Sequence, residues 1–214
     1  KAYAEADFSR SDSMVLIGLE KLLKQSGKTL DESNLIIDVA CGPGNISELI
    51  AANWPSVRVI GIDGSKQMLM EAKRNLMKSD SRIFGKLSYE NIDINSIAIS
   101  EKWLPFFADV IVSNSALHHL HSPESFWTAL KKLGKEKCIH FHRDLRRPCS
   151  IDKAFEMQEK YLMNSPEILK KDFYASLKAS FTVEEVKQQL IDAGLSQLEV
   201  FEVDELYLEI IGYV

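Results

Sequence analysis

Asp38, Gly42, Gly44 and Asp63 have the types and spacing to hold a polar, sugar-bearing ligand. Asp38 lies inside the apolar run Leu35-Ile36-Ile37-Asp38-Val39-Ala40, which passes directly into Cys41-Gly42-Pro43-Gly44-Asn45, and the next apolar run, Val57 to Ile62, ends in Asp63. A glycine turn between a strand and a helix start presents free backbone N–H groups and the positive end of a helix dipole, which suits an anionic or polar ligand. Gly42 and Gly44 let the backbone approach that ligand closely. An acid at the end of the neighbouring strand can accept hydrogen bonds from both hydroxyls of a ribose.

Histidine supplies the second chemical signal. All five, His118, His119, His121, His140 and His142, fall within one short stretch. In a doubly wound sheet the strands that carry this stretch are neighbours and ligands bind beyond their C-terminal ends, so the histidines are expected to gather on the acceptor side. His140, His142 and Asp144 alternate onto one strand face, a spacing that could bind a metal or orient a general base. His119 and Asp144 are the candidates for that base.

These groups need a scaffold, and the hydrophobic periodicity supplies one. Short apolar runs at Leu35–Ala40, Val57–Ile62, Ala108–Ser113 and Cys138–His142, with a weaker one at Leu87–Ile92, read as strands buried on both faces. Helical periodicity lies between them. Asn45 stands three residues before Glu48 as a capping residue, Ser65 opens the next helix, and Ser122-Pro123 opens a third that stops at Gly134. The expected turn into the strand at Cys138 is Leu133-Gly134-Lys135-Glu136-Lys137. Two helical stretches follow, Ser150–Leu162 and Glu167–Lys178; Thr182-Val183-Glu184-Glu185 is a capping box, and two alternating runs close the chain as an antiparallel edge pair. Alternating strands and helices indicate an α/β fold.

Composition bounds the rest. The 214 residues are 45% hydrophobic and carry 26 basic against 31 acidic side chains, a net charge of −5, which disfavours a reader of the nucleic-acid backbone. No apolar run approaches the ~20 residues of a membrane helix. Three cysteines, with no CxxC pair, fit neither a disulfide framework nor a structural zinc site and point to a reducing cytoplasm. The expectation is one domain over residues 1–214, with an N-terminal lid over 1–30 and a helical insert over the acceptor site at 148–180. Tyr3, Phe8, Phe155, Tyr161, Phe173 and Tyr174 are aromatic candidates for that lid.

Two ligands satisfy a glycine turn flanked by acids: a nicotinamide dinucleotide (NAD) and S-adenosylmethionine. A dinucleotide turn calls for glycine or alanine three places after Gly44, where this chain has Ser47, and it has no need of a buried carboxylate at Asp38; an amino-acid-like cofactor brings a cationic ammonium group. The stretch Asp38-Val39-Ala40-Cys41-Gly42-Pro43-Gly44-Asn45 resembles the first motif of class I S-adenosylmethionine-dependent methyltransferases, with Ala40 in place of the first glycine. Ile62-Asp63-Gly64-Ser65, Gln67-Met68-Leu69, Asn91-Ile92-Asp93-Ile94 and Ala108 to Leu120 resemble the later motifs in order, the last as in the ubiquinone-methyltransferase-like branch.

The resemblance implies a Rossmann-like, mostly parallel seven-stranded sheet with an antiparallel C-terminal hairpin. It assigns cofactor contacts to Asp38, Ala40, Cys41, Gly42, Gly44, Asn45, Asp63, Gly64, Met68, Ile92, Asp93, Ile94 and Asn114, with Cys41 contributing mainly its backbone and Asp93 reaching the adenine amino group. The implied reaction is in-line methyl transfer to an oxygen, nitrogen or carbon nucleophile of a small-molecule acceptor, releasing S-adenosylhomocysteine. The alternatives are an NAD-dependent oxidoreductase and a non-catalytic S-adenosylmethionine-binding protein.

Overall fold

The apolar run at 35–39 forms β1 (Leu35–Val39), buried at every position. In this computed structural model, which describes residues 9–79, 81–100, 107–120 and 122–214, β1 sits inside a seven-stranded sheet. The other strands are β2 (Arg58–Asp63), β3 (Leu87–Asn91), β4 (Ala108–Asn114), β5 (Gly134–Leu145), β6 (Glu199–Glu202) and β7 (Tyr207–Tyr213), in the order β3-β2-β1-β4-β5-β7-β6. β1 to β5 are parallel; β7 runs antiparallel to β5, and β6 antiparallel to β7. Strand order reverses between β1 and β4, and crevices for ligands open at such a point beyond the strands' C-terminal ends. Tyr3, Phe8 and His121 lie outside the described residues.

The helices are α1 (Ser9–Ser26), α2 (Asn45–Asn53), α3 (Lys66–Leu76), α4 (Ile94–Ile99), α5 (Pro123–Leu133), α6 (Ile151–Leu162), α7 (Glu167–Ala179) and α8 (Val183–Asp192). One face of the sheet packs on α1, α2 and α3 through Val15, Leu19, Ile36, Ile50, Leu69 and Phe141. Burying each such side chain contributes about 1.5–3 kcal/mol. A Cβ at Gly18 would fall 2.4 Å from the Phe141 ring, so glycine there lets α1 lie directly on β5. The opposite face packs on α4, α5 and α8 through Ile37, Ile60, Ile111, Trp127, Leu130 and Leu190. A third, smaller cluster of Leu145, Ala154, Met157 and Leu177 attaches α6 and α7 to the end of β5.

Side-chain caps set the starts of α3, α4, α6 and α8. Ser65 Oγ accepts from Met68 N at 3.3 Å, and Thr182 and Glu185 form the reciprocal box. Two local expectations change. Asn45 is the first residue of α2 and caps nothing; the N-cap is Gly44, with φ 89°, and Asn45 Nδ2 instead donates to Asp12 Oδ2 of α1 at 3.2 Å. The stretch after Leu133 is no free turn, because β5 already begins at Gly134 and the ladder with β4 shifts register between Ala108 and Val110. Asp109 explains this early start: its carboxylate accepts from Lys135 Nζ at 2.8 Å and from Leu35 N at 2.9 Å, tying β5 and β1 together at the N-terminal edge of the sheet.

Candidate functional site

The glycine turn and both acids come together at the C-terminal edge of β1 and β2. Cys41 N donates to Ile62 O at 3.1 Å, and Gly42 N donates to Asp63 Oδ2 at 2.9 Å. The other oxygen of Asp63 accepts from Ser65 N at 2.7 Å. The second-strand acid is therefore oriented by two backbone donors, one in the glycine turn and one at the start of α3. Asn91 Nδ2 bonds the carbonyls of Asp63 and Gly64 and fixes β3 beside them.

Backbone conformation explains the turn's composition. Ala40, Gly42 and Gly44 all have positive φ, at 55°, 54° and 89°. A Cβ on Gly44 would lie 2.2 Å from Tyr89 Oη, so glycine is required there on steric grounds as well as conformational ones. A Cβ on Gly42 would meet nothing within 4 Å, which leaves open space above the turn. With no side chain capping α2, its first N–H groups border that space.

Asp38 is 1% exposed and accepts a hydrogen bond of 2.5 Å from Ser47 Oγ. Burial pushes its carboxyl up to about 7; Ser47 opposes the shift, and the charges of Asp63 and Asp12 add to it. Cys41 and Cys138 are buried thiols, and Cys41 is pushed far up by burial and by the charges of Asp38 and Asp63, so it is no nucleophile. Gly64, Met68 and Asp93 are exposed, and Ile92 and Ile94 half-buried, along the rim formed by β2, β3 and the start of α4. Asp93 also caps α4, its Oδ1 accepting from Asn95 N at 3.1 Å. Asn114, the last residue of β4, has its Oδ1 buried without a partner among the described residues.

The histidines divide into two groups. His140 and His142 do not line the crevice: they are 0% and 1% exposed, bonded to each other at 3.1 Å, with His142 Nδ1 at 2.9 Å from Ser113 Oγ. Phe126 and Trp127 stand edge-on against His142, each with its centroid 6.0 Å away. Their alternation with Asp144 does put the three on one face, but that face lies beneath α5. Burial lowers His140 to about 4, and burial with the neighbouring His140 lowers His142 well below the usual imidazole value, so both are neutral at pH 7.

Asp144 also differs from its expected partnership. Its Oδ1 lies 2.6 Å from His118 Nδ1 and accepts from Leu145 N, while Oδ2 accepts from Leu117 N at 2.7 Å. His119 is partly open to solvent and its ring lies tilted against His118 with centroids 4.0 Å apart; partial loss of hydration and the neighbouring imidazole lower its pKa. Ser115 N donates to Arg143 O at 2.9 Å and holds the turn after β4 against β5. His118 and Ser47 are thus the site residues that spacing passed over. Ser47 had a signal in its apolar surroundings on α2, whereas the choice between two adjacent histidines had none.

Gly42's open space, the uncapped start of α2, the unpartnered Asn114 Oδ1 and the acid at Asp63 together fit a ligand carrying an ammonium group and a ribose. Comparisons with known proteins agree. Residues 36–136 match a family of methyltransferase domains. Two relatives named trans-aconitate 2-methyltransferase are 32% identical over 87 residues (Azoarcus sp., 38% of this chain and 34% of that protein) and 35% identical over 82 residues (Streptomyces avermitilis, 38% and 28%). The chain thus matches about a third or less of these relatives' length. In fold it resembles the plantazolicin methyltransferase BpumL in complex with a pentazolic desmethylPZN analogue and SAH, S-adenosylhomocysteine (TM-score 0.72, 17% identity, covering 99% of this chain and 87% of that one). It also resembles a SAM-dependent methyltransferase from Aquifex aeolicus (TM-score 0.62, 19% identity, 91% and 88%).

The fold is the Rossmann-like one of the S-adenosylmethionine-dependent methyltransferases that the chain resembles.

Proposed function

We propose that this chain transfers a methyl group from S-adenosylmethionine to a small-molecule acceptor. The observation that carries the reading is the 2.9 Å bond from Gly42 N to Asp63 Oδ2, which joins the glycine turn to the second-strand acid beside the point where strand order reverses. Asp63 holds the ribose hydroxyls. Gly42 and Gly44 admit the cofactor against the backbone, and Asp38 and Asn114 face its cationic amino-acid end. Met68, Ile92, Asp93 and Ile94 border the adenine. The cofactor supplies an electrophilic methyl already activated by positively charged sulfur, so the protein's task is alignment and exclusion of water.

The acceptor enters from the side of α1, α6 and α7. Ser11 Oγ of α1 lies 3.2 Å from Tyr207 Oη, and α7 touches the turn at 117–119, so both segments stand at the edge where the acceptor must sit and serve as its lid. A small acceptor accords with the net charge of −5 and with the relatives' names. No helix among the described residues is long and apolar enough to cross a membrane, and the free cysteines suit a cytoplasmic setting. Titration calorimetry tests the reading: S-adenosylmethionine binds, and S-adenosylhomocysteine accumulates with a suitable acceptor. Binding of NADH with no binding of S-adenosylmethionine would overturn it in favour of the oxidoreductase.

A further inference from the structure

We infer that His118, held by Asp144, is the general base of this reaction, and that the acceptor is a group that loses a proton on transfer, a hydroxyl rather than a carboxylate. The inference rests on the methyl-transfer reading above and adds to it the acceptor's chemical class.

Asp144 Oδ1 lies 2.6 Å from His118 Nδ1, and the same carboxylate accepts from the backbone N–H groups of Leu117 and Leu145. Two backbone donors on one carboxylate favour its ionised form, which can only accept. The proton of the histidine therefore resides on Nδ1, and the lone pair on Nε2. That nitrogen has no hydrogen-bond partner among the described residues, and the side chain keeps 3% of its surface exposed. An imidazole with one nitrogen fixed by a buried acid and the other bare is the arrangement of an oriented base. It stands in the turn after β4, beside the crevice and beneath α7. His119 has no such acid, and the His140–His142 pair is sealed in the core.

A base is needed only where a proton must leave. A carboxylate acceptor arrives ionised and yields an ester without releasing one, so a dyad would be idle. With a hydroxyl, the oxygen forms its bond to the methyl carbon as the carbon–sulfur pair stays on sulfur; the O–H proton passes to His118 Nε2 and its bonding pair remains on oxygen. The histidinium then loses that proton to solvent. The cations at the end of β5 fit the same picture. Arg143 is paired with Glu209 at 2.6 Å, Arg146 with Glu202 at 3.1 Å and Arg147 with Glu185, so their charges are already met within the chain.

The test has two arms on the full chain. In nitrogen-15 NMR with S-adenosylhomocysteine present, His118 should show the Nδ1–H tautomer, a preference lost in Asp144→Asn; the Nε2–H tautomer in the wild type would overturn the dyad whether or not any acceptor is turned over. In the second arm, catechol and phenol are compared with trans-aconitate as methyl acceptors. Turnover of a hydroxyl probe should fall 10²–10⁴-fold in His118→Gln, with S-adenosylmethionine affinity and melting temperature retained and the acid limb of the kcat profile lost. Equal rates for wild type and His118→Gln, or turnover of trans-aconitate alone, would sink the inference. Absence of S-adenosylmethionine binding by the wild type would instead refute the methyl-transfer reading and leave the tautomer to be read by itself.

Discussion

Ser47 Oγ donates a 2.5 Å hydrogen bond to Asp38 Oδ2 where neither residue is more than 1% exposed. The bond supports the ionised carboxylate without fully offsetting its loss of hydration, so Asp38 titrates at about 7. A cationic ligand beside it favours the ionised form. Affinity for S-adenosylmethionine should therefore rise by about tenfold between pH 6 and pH 8. Calorimetry at the two pH values checks this, and Asp38→Asn should bind with little pH dependence.

Asp38 and His140 act in opposite directions on stability. The folded pKa of Asp38 is raised from 3.8 to about 7, so its stabilising contribution is present at low pH and is lost as pH rises through 7. That of His140 is lowered from 6.5 to about 4, so its contribution is present above 6.5 and is lost as pH falls toward 4. Each is worth on the order of 2–3 kcal/mol between pH 7 and pH 4.5 and they offset one another. Urea unfolding at these two pH values should show Asp38→Asn losing more stability on acidification than the wild type, and His140→Leu losing less.

Asp63 is set by Gly42 N and Ser65 N before any ligand arrives. Asp63→Ala should weaken S-adenosylmethionine binding by about 1–3 kcal/mol through loss of the paired ribose hydrogen bonds. Because the substitution also loosens the turn, Asp63→Asn is the companion variant: it keeps one of the two backbone bonds, so it should lower the melting temperature less than Asp63→Ala while still losing affinity. Unchanged affinity in both variants would remove Asp63 from the site.

Ala40 and Gly44 make a complementary pair, both at positive φ. Ala40→Gly relieves a strained backbone and should stabilise by about 0.5–1 kcal/mol, a rise of roughly 2–4 °C in melting temperature. Gly44→Ala adds strain and drives a methyl group into Tyr89. It should cost about 2–4 kcal/mol and lower the melting temperature by roughly 5–15 °C, as read by calorimetric scanning.

By itself the sequence determined the alternation of strands and helices, the glycine turn and the acids at or next to the ends of β1 and β2. These are local properties: a buried strand is a continuous apolar run, a turn at positive φ calls for glycine, and an acid at a strand end keeps its place whatever packs around it. Tertiary structure alone decided which groups answer one another. Asn45 was in position to cap α2, yet its amide is drawn to Asp12 on α1, 33 positions away. His118 and His119 are adjacent and alike in sequence, but it is His118 that reaches Asp144 on the neighbouring strand. The spacing of His140 and His142 is correct for one face of β5, and α5 lies over that face, with Phe126 and Trp127 against His142. Side-chain partnership depends on where distant segments come to rest, and that is set by how the two faces of the sheet are filled.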